Sequence, residues 1–388
     1  MRLLGLIFML VAAAGCNTMV GAAKDPGVPR EVVGGNKSDA PRPHYESRGE
    51  TASMGSEDAE IGYSVVRVHF ATDRNPIANG AQDGWFGAKR AAVISYGVSD
   101  VSIPRDHRVG DLESPSWLKL EFSEDPEEHV VVLSTAVQDK ATFFAGLADS
   151  VKKSKGKNTF LFIHGYNVSF VDAARRTAQI AYDLGFDGAP VFYSWPSQGS
   201  VATYTVDEQN VEWAQANLRA FLVDYGQRSG TDDIYLIAHS MGSRALTRAI
   251  ADVMADHPTL RSRFKQIVLA APDIDADVFV RDIAPALAKA GRPVTLYASS
   301  ADKAIMMSHT VHGSPRAGDS GEGLVIAKGV ETIDATAVET GFLGHSYVGE
   351  RNMLSDMYEA FQSGARADER FGLMGKDTAQ GRYWLFKK

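Results

Sequence analysis

The chain holds one cysteine, Cys16, in 388 residues. No intramolecular disulfide can form, so the fold must rest on apolar burial and hydrogen bonds. A strong positive charge is missing too. Forty Lys and Arg against 48 Asp and Glu leave a formal charge of −8, which gives no global basic field for nucleic acid. The one local basic cluster, Lys152, Lys153, Lys155 and Lys157, reads as a solvated loop. No phosphate loop, dinucleotide fingerprint or internal repeat is present. His309 and His312 are spaced for one helix face but lack a third ligand, so no metal site is expected and no cofactor is implied. What the chain does have is 44% hydrophobic and 9% aromatic residues, enough for a sizeable core.

The first fifteen residues stand apart from that core. Arg2 supplies a minimal positive start, residues 3–14 an apolar stretch, and small residues precede Cys16. The stretch is too short for a good membrane-spanning helix and has the form of an export signal. Ala13-Ala14-Gly15-Cys16 resembles a bacterial lipobox, in which the chain is cut before a cysteine that becomes acylated. That resemblance implies lipidation at Cys16. Asn17 in the next position implies delivery to the outer membrane, facing the periplasm. Residues 16–60 are rich in Gly, Pro, Ser, Asp and Lys, with Tyr45 the only aromatic. Their composition predicts a flexible tether.

Residues 61–388 are expected to form the folded domain. Strand-like runs at 63–70, 92–96, 100–103, 117–122 and 130–133 are separated by turn residues and predict an antiparallel opening section. Residues 71–76 read as the turn that ends the first run, and residues 139–153 as a helix. From Asn158 the rhythm changes. Near-continuous apolar strands at 159–163, 191–194, 233–238, 266–270, 294–298 and 329–333 alternate with helical patterns at 170–184, 206–225, 243–254, 278–288 and 303–308. This alternation predicts an α/β fold, a mostly parallel sheet with helices on both faces. Loops after the strands' C-terminal ends are where such folds build sites. Residues 312–323, rich in Gly, Ser and Pro, read as a mobile loop.

One strand end carries the chemistry. Ile234-Tyr235-Leu236-Ile237-Ala238 runs into His239-Ser240-Met241-Gly242, and a helical pattern follows. A serine between a buried strand and a helix sits on a sharp turn with its hydroxyl exposed, beside amide donors at the helix start. Together with Phe162-Ile163-His164-Gly165-Tyr166-Asn167, Tyr193-Ser194-Trp195-Pro196-Ser197, Leu296-Tyr297-Ala298-Ser299-Ser300-Ala301-Asp302 and Leu343-Gly344-His345-Ser346-Tyr347, this turn resembles a bacterial esterase/lipase-like branch of the α/β-hydrolases. The likeness runs from Tyr63 to about Ala360. Ala238 replaces the first glycine of the usual G-x-S-x-G pattern.

The resemblance implies a serine hydrolase cleaving carboxylic esters through a Ser-His-Asp triad and an acyl-enzyme. Ser240 is then the nucleophile, and His345, in a glycine-flexed loop after the last strand, the base. Two acids compete for the third role. Asp302 holds the usual position but also precedes a helical pattern as an N-cap, while Asp273 lies beyond the preceding strand. The oxyanion donors are assigned to the amides of Met241 and Tyr166, with His164 shaping the loop through backbone bonds. Trp195 and Ser197 either border the acyl pocket or pack in the core. The partners implied are a small-molecule or lipid ester substrate and, through the anchor, a membrane. A second expectation, from another class, is a non-catalytic, lipid-anchored envelope module for binding or assembly on the same fold.

Overall fold

The computed structural model describes residues 62–78, 84–115, 123–200, 203–321, 323–337 and 351–387. The expectations for Cys16, the tether, the 117–122 strand and His345 lie outside the described residues. The elements, in order, are β1 (Tyr63–Pro76), β2 (Phe86–Pro104), β3 (Val132–Gln138), α1 (Lys140–Lys153), β4 (Thr159–Ile163), α2 (Phe170–Asp183), β5 (Ala189–Ser194) and α3 (Tyr204–Arg228). Then come β6 (Ile234–His239), α4 (Gly242–Asp256), β7 (Phe264–Ala270) and α5 (Ala276–Val278). A π-helical turn, Phe279–Ile283, joins α5 to α6 (Ala284–Ala290). The chain continues with β8 (Val294–Ala298), α7 (Lys303–His312), β9 (Val330–Asp334), α8 (Arg351–Ser363), β10 (Leu373–Thr378) and β11 (Gly381–Phe386).

The described strands form one sheet in the order β10-β11-β9-β8-β7-β6-β4-β5-β1-β2-β3. Every neighbouring pair from β11 through β1 is parallel, whereas β1–β2, β2–β3 and β10–β11 are antiparallel. β4, β5, β6 and β8 are buried at every position, as strands covered on both faces must be. One core cluster joins the sheet to α1, α3, α4 and α6 through Phe143, Phe221, Leu246 and Leu287. The other joins it to α2, α7 and α8 through Ala174, Ile305 and Met357. Local chemistry sets the helix starts. Asp139 caps α1, Ser169 and Asp172 make a reciprocal capping box on α2, and Asp302 caps α7.

The parallel half follows the sequence expectations; the antiparallel end differs in three respects. Residues 71–76 do not end β1 but continue it, because Thr72, Arg74 and Pro76 still pair with Ser95, Arg90 and Phe86 of β2. The runs at 92–96 and 100–103 are one strand, β2, unbroken across Gly97. A Cβ on Gly97 would lie 2.2 Å from Ala136 O and 2.5 Å from the Phe70 ring, so that glycine makes room for packing and does not mark a turn. The run at 130–133 yields to β3, which begins at Val132 and continues to Gln138. The β10–β11 pair was not foreseen.

Candidate active site

Ser240 stands at the C-terminal end of β6, at φ 50°. For a residue with a Cβ this left-handed conformation is strained by about 1–3 kcal/mol and persists only when the surroundings impose it. The surroundings are on both flanks. The Ser240 N–H donates to Ala270 O at 2.8 Å, and its carbonyl accepts from Ser243 N at 3.0 Å and Asp273 N at 3.2 Å. Helix α4 begins at once, with Met241 at the N-cap position. A Cβ on Gly242 would lie 2.3 Å from His164 O and 2.8 Å from Ile163 O. Only glycine lets α4 start against the end of β4.

The loop after β4 closes on the same point. A Cβ on Gly165 would sit 3.0 Å from Ser240 Cβ, so Gly165 lets the loop's backbone lie against the Ser240 turn. The loop bends through Asn167, at φ 57°, a residue type that tolerates this region. The Asn167 N–H donates to Asp207 Oδ2 at 3.3 Å, Val168 N–H to Ser197 Oγ at 3.2 Å, and Ser197 Oγ–H to Asp207 Oδ2 at 2.6 Å. His164 is buried and stacks on Trp195, with ring centroids 5.1 Å apart. Its Nδ1 bonds Gly165 O at 2.7 Å. Burial and then the nearby Arg74 charge hold its pKa well below the ordinary value, so His164 is neutral.

The two aspartates differ sharply. Asp273 is 1% exposed and its carboxylate meets four donors. Ser308 Oγ–H (2.6 Å) and Arg316 Nε–H (2.8 Å) reach Oδ1, while Arg244 Nη2–H (3.1 Å) and the Tyr204 hydroxyl reach Oδ2. Burial pushes its pKa up, but Arg244 and Arg316, with the two hydroxyls, outweigh this and bring it to about 2. Asp302, fully buried, accepts at Oδ1 from Ala304 N and Ile305 N, both at 3.0 Å. Its capping role is therefore present as the sequence allowed.

A strand-end serine at positive φ, a helix start at its back and a glycine-shaped loop at its side have the form of the strand-turn-helix on which α/β-hydrolases carry a serine. The sequence of residues 139–360, more than half of the chain, matches the family described as alpha/beta hydrolase of unknown function, DUF900. The chain belongs to this family. No curated protein matches it in sequence. Among solved structures, lipase B from Aspergillus fumigatus is similar at 12% identity and a TM-score of 0.35. That match covers 53% of each chain, so the protein spans about half the length of that lipase. The hyperthermophilic esterase of the archaeon Pyrobaculum calidifontis is similar at 12% identity over 57% of this chain and 90% of that one, with a TM-score of 0.31. For carboxylesterase CesB of Bacillus subtilis the identity is 13%, the coverage 54% and 85%, and the TM-score 0.29.

Within this hydrolase fold the structure brings together Ser240, Met241, the loop of His164 to Asn167, and Asp273. Asp302 lies beyond the neighbouring strand β8, close enough for its charge to act on the Tyr166 phenol, whose pKa rises through burial and then Asp302 and Asp273. Trp195 packs in the core, fully buried, with Nε1–H donating to His164 O at 2.8 Å, and Ser197 is buried in the loop network. Within the 312–323 stretch, expected to be mobile, residues 316–318 are bonded to the segment after β7. Arg316 pairs with Asp273, Ala317 N–H donates to Ile274 O, and Gly318 N–H donates to Pro272 O. The sequence analysis passed over Arg74, Tyr204, Arg244 and Arg316. A charge at a strand end or on a helix carries no local mark of burial, and their roles depend on partners 29 to 123 positions away.

Proposed function

We propose that this α/β-hydrolase cleaves carboxylic esters, with Ser240 as nucleophile, His345 as base and Asp302 as the acid that orients it. The observation that carries the reading is the strained Ser240 turn, held by backbone bonds to β7 and pressed against Gly165. Strain of this kind clusters at functional sites. Asp302 is preferred to Asp273 because the Asp273 carboxylate is already fully engaged. An ionised carboxylate offers about four lone-pair sites, and all four on Asp273 meet donors. A histidine N–H would have to displace one of them.

In the reaction, Ser240 Oγ attacks the ester carbonyl while His345 takes the hydroxyl proton. The carbonyl oxygen becomes an oxyanion, stabilised by the amides of Met241 and Tyr166. Collapse expels the alcohol, which receives that proton from His345, and leaves an acyl-serine. Water, deprotonated by His345, then releases the carboxylic acid and restores Ser240. Ser240→Ala should lower turnover of p-nitrophenyl butyrate by several orders of magnitude. Undiminished hydrolysis by the folded variant would defeat the mechanism.

The anchoring at Cys16 belongs to the same proposal. Supporting it are the short apolar leader, the small residues before Cys16 and the lack of any other cysteine. Acyl chains on Cys16 would hold the hydrolase at the outer membrane, since two chains suffice for stable anchoring. Cys16→Ser should abolish palmitate labelling. Unlabelled wild-type protein in the soluble periplasmic fraction would contradict the anchor.

A further inference from the structure

Arg74, at the end of β1, is 1% exposed, and its guanidinium donates only to neutral acceptors among the described residues. Nη1–H reaches Ser197 O (2.9 Å) and Gly87 O (3.2 Å), Nη2–H reaches Val168 O (2.6 Å) and lies 3.5 Å from His164 Nε2, and Nε–H reaches Ser194 Oγ (2.8 Å). Burying a cation without a hydrogen-bonded carboxylate costs several kcal/mol, and burial lowers the Arg74 pKa to about 10. The side chain thus stays charged at neutral pH.

From Arg74 a hydrogen-bond chain runs in one direction. Ser194 Oγ accepts from Arg74 and lies 3.1 Å from His164 Nε2. His164 Nδ1 faces a carbonyl, Gly165 O, which can only accept. Nδ1 of the neutral ring therefore carries the proton and Nε2 the lone pair. The Ser194 proton then points to Nε2. Each link has one permitted polarity, and the chain ends on the peptide that joins Gly165 to Tyr166.

We propose that Arg74, Ser194 and His164 form a polarised relay that fixes the Gly165–Tyr166 peptide and strengthens its N–H as an oxyanion donor. The inference rests on the assignment of the Tyr166 amide to the oxyanion hole. In a trans peptide the N–H points opposite to the C=O, so a donor on Gly165 O sets the direction of the Tyr166 N–H. Hydrogen bonds in a chain polarise one another, and withdrawal of electron density at the carbonyl leaves the N–H more positive. A cation at the head of the chain adds its own field in a dry interior. The three are positioning residues: they act through the peptide and do not touch substrate.

Ser194→Ala removes the relay's middle hydroxyl, adds no volume and leaves His164 Nε2 only the longer 3.5 Å approach of Arg74 Nη2. Removing one oxyanion donor outright costs about 10²–10³ in turnover; weakening it should lower kcat about tenfold. KM for p-nitrophenyl butyrate should hold, while the inhibition constant of a trifluoromethyl ketone, whose oxyanion fills the hole, rises by a similar factor. Arg74→Lys, which keeps the charge without the fork, should fall between wild type and Arg74→Met. The second readout needs no substrate. In an amide-proton NMR spectrum the Tyr166 signal should move upfield in Ser194→Ala. An unmoved Tyr166 signal overturns the relay whether or not the protein cleaves esters. Wild-type kcat and inhibitor affinity in the folded variant overturn it as well. Absent ester turnover in wild type, with the Tyr166 signal still shifting, would instead count against the proposed substrate.

Discussion

Asp273 and Asp302 follow adjacent parallel strands, are equally buried, and carry the same side chain, yet the structure uses them differently. Asp273 is the centre of an ionic hub. It ties α3 through Tyr204, α4 through Arg244, α7 through Ser308 and the 316 loop through Arg316, and its own N–H braces Ser240. Asp302 accepts two backbone amides at the start of α7. The difference teaches that strand-end position nominates an acid but does not fix its surroundings: Asp273 gathers side-chain donors from four elements, whereas Asp302 caps a helix.

The sharpest way to break the comparison is to neutralise each aspartate in turn. Asp302→Asn keeps an N-cap, because asparagine caps about as well as aspartate, and removes only the charge. Turnover should fall about 10³- to 10⁴-fold through loss of the imidazole's orienting partner, with circular dichroism and thermal midpoint nearly unchanged. In Asp273→Asn the loss should appear in stability. Arg244 and Arg316 would lose their shared anion, and breaking a buried pair costs about 3–5 kcal/mol. Denaturant unfolding would measure this, while kcat of the folded fraction changes less than tenfold. The reverse ranking would move the triad role to Asp273.

Acid should expose the same hub. The Asp273 pKa lies at about 2 in the fold against 3.8 for the free side chain. A depressed carboxylate stabilises above its unfolded pKa and loses that contribution as pH falls from about 4 towards 2. The amount is on the order of 2 kcal/mol, and Asp273→Asn should remove that part of the acid dependence.

A cation-centred hub around His107 should respond the opposite way. His107 lies between Glu113 Oε2 and Asp183 Oδ1, 2.8 Å from each. Burial lowers its pKa, but the two carboxylates win and raise it to about 9 from 6.5. Its contribution is complete below about 6.5 and is lost as pH rises through about 9. His107→Gln should flatten the alkaline loss of thermal midpoint and leave ester turnover at neutral pH unchanged.

Much of this was legible in the sequence because buried parallel strands leave a plain mark. Residues 159–163 and 294–298 are all apolar or β-favouring and coincide with β4 and β8. The Ser240 turn was legible for the same reason: a buried strand stops just before a serine, with a glycine two positions further on. The antiparallel regions were less so. Gly97 looks like punctuation until Phe70 is seen to occupy its face, and β10, Leu-Met-Gly-Lys-Asp-Thr, is exposed after its first residue, so no alternation marks it. The relay and the Asp273 hub were illegible, since they join groups from distant segments that only tertiary packing brings together.

The most direct test of the central claim, that the strained Ser240 is a working nucleophile, is covalent capture. The intact protein would be treated with a fluorophosphonate probe, digested and analysed by mass spectrometry. The account predicts one phosphonyl adduct, on Ser240, absent from the Ser240→Ala variant and strongly slowed in Asp302→Asn. An unlabelled wild-type protein, or an adduct that persists when Ser240 is gone, would contradict it.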